Sequence, residues 1–131
     1  MDRQPIATPQ APAAIGPYSQ AMQSGGQLWI SGQLGLDPVS GNLVEGGIEA
    51  QTRQALANLQ AICEAAGTSL HQALRCTIYL TDLRDFALVN GLYAEAFSQP
   101  YPARACIQVA ALPKGGVVEI DAVVALKHHA H

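Results

Sequence analysis

Charge is what this sequence has least of. Asp, Glu, Lys and Arg make up 13% of its 131 residues, about half the share usual in soluble domains. The seven Lys and Arg are scattered without a basic run, and the net charge is −3. That balance argues against a nucleic-acid partner, because a phosphate-backbone binder normally carries a basic patch. Long apolar runs are absent too, and the opening M-D-R-Q-P-I-A-T-P-Q has no signal-peptide core, so the expectation is a soluble chain with no membrane partner. Cysteine is scarce. Cys63, Cys76 and Cys106 contain no C-x-x-C pair and leave one thiol over in any disulfide scheme, which fits a reducing, cytoplasmic setting.

What is abundant is apolar surface, at 49% hydrophobic residues. A chain of this length forms one domain with a real core. With so few charges to cover its outside, part of that outside is expected to be buried by another subunit.

The punctuation divides the chain into residues 1–10, a flexible or extended lead-in rich in Pro and Ala, a domain over 11–127, and a His-containing tail over 128–131. Ile15-Gly16-Pro17-Tyr18-Ser19-Gln20 reads as a turn that delivers Tyr18 to a defined place. Strands are expected over 20–24 and 27–33 around Gly25-Gly26, followed by a loop marked by Asp37-Pro38 and Ser40-Gly41-Asn42. Ile48, Ala55, Leu56, Leu59, Ile62, Cys63 and Ala66 have helical spacing, with Gly67 as the stop. Residues 73–80 alternate, with Leu74, Cys76, Ile78 and Leu80 on one face. Asp82 or Asp85 caps a second helix through Phe97, striped by Phe86, Val89, Tyr93 and Phe97. Strands over 103–110 and 117–126 follow, joined at Leu112-Pro113-Lys114-Gly115-Gly116.

The order β-β-α-β-α-β-β predicts an α+β domain, one mixed sheet with two helices on one face. The last strand sends Val118, Ile120, Ala122, Val124 and Leu126 toward the helices. Val117, Glu119, Asp121, Val123 and Ala125 lie on the other face, too apolar for water and too acidic for a plain core. Trp29 and Ser31 share that second face, which suits a subunit interface containing a polar site.

Two charges in apolar strands need an explanation. Arg104, after Pro102, offers a planar fork that grips a carboxylate bidentately. Glu119 can orient or deprotonate a water. The bland alternative is a structural pair, with Arg104 bridged to Glu119 or Asp121 across strands. Cys106 invites a nucleophile reading, but no partner histidine is evident, since His71 falls in a loop and the other three in the tail; lining a pocket is the competing role. Asn90, one turn from Phe86, is a buried amide that needs partners. No metal or cofactor site is argued from any of these residues.

The chain resembles the RidA/YjgF family of reactive-intermediate deaminases over about residues 11–126. The marks are A-P-A-A-I-G-P-Y-S-Q (11–20), S-G-Q (31–33), A-A-G (65–67), F-A-L-V-N-G-L-Y (86–93), P-A-R-A-C (102–106) and A-L-P-K-G…V-E-I (111–120). The resemblance implies a chorismate-mutase-like fold and a homotrimer with clefts between subunits. It also implies cofactor-free hydrolysis of enamines and imines, such as 2-aminoacrylate, 2-iminopropanoate and 2-iminobutanoate, to 2-oxo acids and ammonia. By the same resemblance Arg104 holds the substrate carboxylate, Cys106 lines the pocket, and Glu119 positions the water. Tyr18, Ser31, Gly32 and Asn90 border the cleft. Two departures stand out: the segment between Phe97 and Arg104 is shorter than in familiar bacterial members, and Ala105 replaces a common Ser or Thr. Competing expectations are a module that binds 2-oxo acids without chemistry, a specialised deaminase such as one for 2-aminomuconate, and the nuclease or translation-inhibitor role assigned to some relatives.

Overall fold

The computed structural model describes residues 2–126; the last residue of the expected domain and the tail lie outside the described residues. Within them, one six-stranded mixed sheet carries both α-helices on a single face. The strands are β1 (Gln4–Ile6), β2 (Ala21–Ser24), β3 (Gln27–Leu34), β4 (Ala73–Leu80), β5 (Ala103–Gln108) and β6 (Val118–Ala125), and the helices are α1 (Gly47–Ala65) and α2 (Phe86–Ala96). The spatial order is β1-β2-β3-β6-β4-β5, with β4 and β5 parallel and every other pair antiparallel.

Three features differ from the sequence reading. The lead-in is not featureless, because Gln4–Ile6 pairs with Ala21–Gln23 as an edge strand. The strands joined through Leu112–Gly116 are not neighbours in the sheet. β5 pairs only with β4, and β6 is inserted between β3 and β4, so the connection crosses the end of β4, with Val109 N–H donating to Leu80 O at 2.8 Å and Thr81 N–H to Val117 O at 3.2 Å. Leu74 does not belong to the buried face of β4. The register with β6 slips between Ala73 and Arg75, and the extra residue leaves Leu74 in solvent.

The period-2 pattern otherwise sorts the sheet as expected. Leu28, Ile30, Cys76, Ile78, Leu80, Val118, Ile120, Ala122 and Val124 are buried under the helices, where Leu59, Ile62, Cys63, Val89 and Tyr93 meet them. Truncating Ile78 or Ile120 to Ala in such a core costs about 2–5 kcal/mol. α1 sits so close to the end of β3 that a Cβ on Gly35 would lie 2.5 Å from the Gln51 Cα; only glycine permits that approach. Buried polar side chains then tie the helix to the strand ends. Asn58 donates to Leu34 O (3.2 Å) and Leu36 O (3.0 Å), and Gln51 Oε1 accepts from Val117 N–H (3.0 Å). The opposite face of the sheet carries Met22, Trp29, Val123, Asp121 and Glu119 with no layer of described residues over it, and Trp29 is half-exposed.

Candidate active site

Arg104 lies on the edge strand β5 opposite Cys76 of β4, and its side chain therefore rises toward α2. Three residues of that helix receive it. Its Nη1 donates to Asn90 Oδ1 at 2.6 Å, and its guanidinium carbon lies 5.5 Å from the Phe86 ring centre and 5.0 Å from that of Tyr93. An amide oxygen and two π faces orient the fork without neutralising it. Asn90 thus braces the arginine rather than standing apart from it. The structural pair considered above does not form. Among the described residues no carboxylate bridges Arg104, and Asp121 instead accepts from Thr77 N–H (3.1 Å) and Tyr79 O–H (3.1 Å) on β4.

Cys106, two residues on, shares that face and is half-buried. Burial raises its thiol pKa, against a lowering effect from Arg104. Burial likewise pushes the Cys63 thiol up to about 12 and raises that of Cys76. None of the three is built as a thiolate nucleophile, which needs a depressed pKa.

Glu119 occupies the open face near the start of β6, paired with Leu34 of β3 and Tyr79 of β4. The bulge between Ile30 and Gln33 makes room for it. Gly32 lies directly beneath the carboxylate, since a Cβ there would be 2.7 Å from Glu119 Oε2. The wall around it is a cavity of about 720 Å³ formed by Tyr18, Ser31, Leu36, Pro38, Lys114 and their neighbours. Half-burial and the nearby Asp121 raise the Glu119 pKa above its ordinary value. No donor within the described residues offsets this, so its oxygens are free for water or a ligand. A raised pKa and open oxygens are features of groups that exchange protons in functional sites.

The surrounding loop is fixed by Gln20, whose role the sequence reading did not assign, and by Ser31. Buried Gln20 gathers the N-terminal segment, donating to Thr8, Ala11 and Pro12 carbonyls (3.1, 3.2 and 2.7 Å) and accepting from Thr8 N–H (2.7 Å). Ser31 Oγ donates to Ser19 O at 2.6 Å. Together they hold Tyr18 at the cavity rim with half of its surface exposed. Ser31 is therefore a scaffold for Tyr18 as well as a wall.

The structure brings the candidate residues together as two groups. Tyr18, Ser31, Gly32 and Glu119 form one; Arg104, Cys106 and Asn90 form the other. Arg104 is level with Ala122 through Cys76, three residues along from Glu119 and two strands away. Strand geometry puts about 10 Å between them in each direction, and their side chains leave the sheet on opposite faces. Within one chain they cannot share a ligand the size of a small amino acid. Among the described residues no three His, Cys, Asp or Glu side chains gather to hold a metal ion.

A family profile described as Endoribonuclease L-PSP matches residues 8–126. The RutC family protein y4sK of Sinorhizobium fredii is 53% identical over 123 residues, covering 94% of this chain and 98% of that protein. The 2-iminobutanoate/2-iminopropanoate deaminase of Bos taurus is 51% identical over 121 residues, covering 92% and 88%. Among solved structures, RidA from an Antarctic Psychrobacter superposes with a TM-score of 0.90 at 53% identity, covering 94% of this chain and 99% of that one. With likeness of this depth along almost the whole domain, the chain belongs to the RidA/YjgF family.

Proposed function

We propose that the protein hydrolyses small reactive 2-imino acids, and the enamines that tautomerise to them, to 2-oxo acids and ammonia without a cofactor. The observation that carries the reading is Glu119: a half-buried carboxylate with a raised pKa and unpaired oxygens, facing a cavity. Relatives named as 2-iminobutanoate/2-iminopropanoate deaminases support the substrate class. The description of the family profile would suit a nuclease, but the seven scattered Lys and Arg give RNA no basic track.

In this mechanism Arg104 holds the substrate carboxylate through its fork, fixing C2 of the imine beside a water on Glu119. The water oxygen bonds to C2 as its proton passes to the Glu119 carboxylate. The C=N π electrons move to nitrogen, giving a carbinolamine. Glu119 returns the proton to nitrogen, and the C2 hydroxyl then passes its own proton through Glu119 to that nitrogen as the C–N bond breaks, leaving the 2-oxo acid, ammonia and an ionised Glu119. One water is consumed and one ammonia released. The imine supplies its own electrophile, so positioning and proton transfer are the protein's main contributions.

Arg104 and Glu119 serve one substrate only if they come from different copies of the chain. A homotrimer with three clefts between subunits meets that need. The uncovered face bearing Trp29, Met22 and Val123 and the low charge content support it. A cytoplasmic location belongs to the same reading, supported by three cysteines that form no disulfide.

The test generates 2-imino acids in place with an amino-acid oxidase and follows their loss by semicarbazide trapping. Wild type should accelerate hydrolysis. Arg104→Ala, which deletes two charge-assisted hydrogen bonds to the substrate, should lower kcat/KM by about 10²- to 10⁴-fold while remaining a folded oligomer. Near-normal rates in the variant would refute the clamp. Tight binding of 2-oxobutanoate with no imine turnover by wild type would replace the enzyme with a binding module.

A further inference from the structure

We propose that Lys114 is a latch that sets the width of the Glu119 cavity and thereby selects imines by the size of their side chain. The selection, though not the latch itself, rests on the deaminase reading.

Lys114 is the only non-glycine among the described residues with positive φ (φ 59°, ψ 17°). Glycine adopts that backbone freely and lysine does not. The side chain makes the exception intelligible. Lys114 Nζ donates to Gly41 O at 3.0 Å, joining segments 73 residues apart. Lys114 and Gly41 both line the cavity, so the bond closes part of its wall.

The wall that Lys114 holds is a preformed unit. The Asp37 carboxylate accepts from Val39 N–H (3.0 Å) and Ser40 N–H (2.8 Å). Asp37 N–H donates to Asn42 O and Gly41 N–H to Asp37 O, each at 2.8 Å. Its base is anchored by the Leu36–Leu43 bridge and by Val44 N–H donating to Gly35 O. The tip has no such anchor, and Val39 is 94% exposed. Among the described residues the Lys114 bond is the hydrogen bond that ties this tip to the 113–116 segment at the cavity wall. A loop that is internally stiff and hinged at its base moves as a flap, and the latch decides how far.

The flap contributes Leu36, Pro38 and Val39 to the cavity lining, to which Pro12 and Ile15 also belong. An apolar wall of that kind meets the hydrocarbon end of a substrate, not its carboxylate or imine. Lys114 also contributes nothing to the raised pKa of Glu119, whose causes are burial and Asp121. It is therefore a positioning residue and not part of the proton path.

The experiment measures kcat/KM for 2-iminopropanoate and for the imine of phenylalanine in wild type, Lys114→Met and Lys114→Arg. Amide hydrogen exchange over residues 37–42 is followed in the same proteins. Loss of one hydrogen bond should raise the bulky-to-small ratio about 3- to 10-fold in Lys114→Met and quicken exchange of the loop by a similar factor. Lys114→Arg, which keeps a donor, should restore both. Turnover of both imines with an unchanged or lowered ratio in Lys114→Met overturns the selection. Unchanged exchange overturns the latch, and that readout decides it even if wild type hydrolyses neither imine. Absence of turnover in wild type would strike the deaminase reading instead.

Discussion

Arg104 and Glu119 stand on one sheet and are held in opposite ways. The arginine sits on an edge strand, yet its head is fixed by Asn90, Phe86 and Tyr93. The glutamate sits on a central strand, yet its head has no donor within the described residues. Its neighbour Asp121, on the same strand and face, is committed to Thr77 and Tyr79. The comparison separates two tasks. A group that must recognise a carboxylate gains from being preorganised, whereas a group that must carry a proton has to keep its oxygens open and its pKa raised.

The contrast can be broken from either side. Gly32→Ala should act most strongly, because its Cβ would fall 2.7 Å from Glu119 Oε2 and force the carboxylate aside. A displacement of that size costs about 10²-fold in kcat. Asn90→Ala frees the arginine without removing it, and the loss of one hydrogen bond to a charged group should lower kcat/KM about 10-fold, mostly through KM. Both variants should keep the wild-type oligomer by light scattering, and equal losses in kcat and KM for the two would erase the distinction.

The smallest effect concerns pH. In the proposed mechanism Glu119 must be ionised to take the water's proton, so kcat/KM should rise with pH through its pKa, and the acid limb should lie above the ordinary glutamate value of 4.5. Asp121→Asn removes the charge that helps raise it and should move the limb to lower pH. Stability shows the linked sign: with a raised folded-state pKa, the ionised Glu119 costs stability as pH climbs past 4.5, and Glu119→Gln should unfold later than wild type at neutral pH. A limb unmoved by Asp121→Asn would place the titrating group elsewhere.

Much of this was legible in the sequence because period-2 and helical patterns are local. The alternation of β6 predicts which side Glu119 takes, and the stripe of α2 predicts the burial of Val89, Tyr93 and Phe97, whereas Phe86, at the start of the same stripe, is exposed beside Arg104. Less legible was anything decided by strand order. Residues 103–120 read as two strands joined by a turn, and only the insertion of β6 between β3 and β4 shows why Arg104 and Glu119 face opposite ways. The Leu74 bulge breaks an alternation that the sequence continues through. Gln51 and Asn58 did leave a signal, since they are polar residues at helical spacing with Ala55 and Ile62, but their partners are backbone atoms of distant strands. The motif that ends in Gln20 marks the N-terminal segment without disclosing that its amide gathers three carbonyls.

The most direct test of an active site divided between chains is a subunit mixture. Arg104→Ala and Glu119→Gln, each inactive alone, are unfolded together in equal amounts, refolded and assayed for imine hydrolysis. A site that takes its arginine from one copy and its glutamate from the next should recover about a quarter of wild-type activity, the share of random interfaces that pair the two intact halves. If the mixture stays as inactive as its parents although mixed oligomers have formed, both residues belong to one chain's site and the account is contradicted.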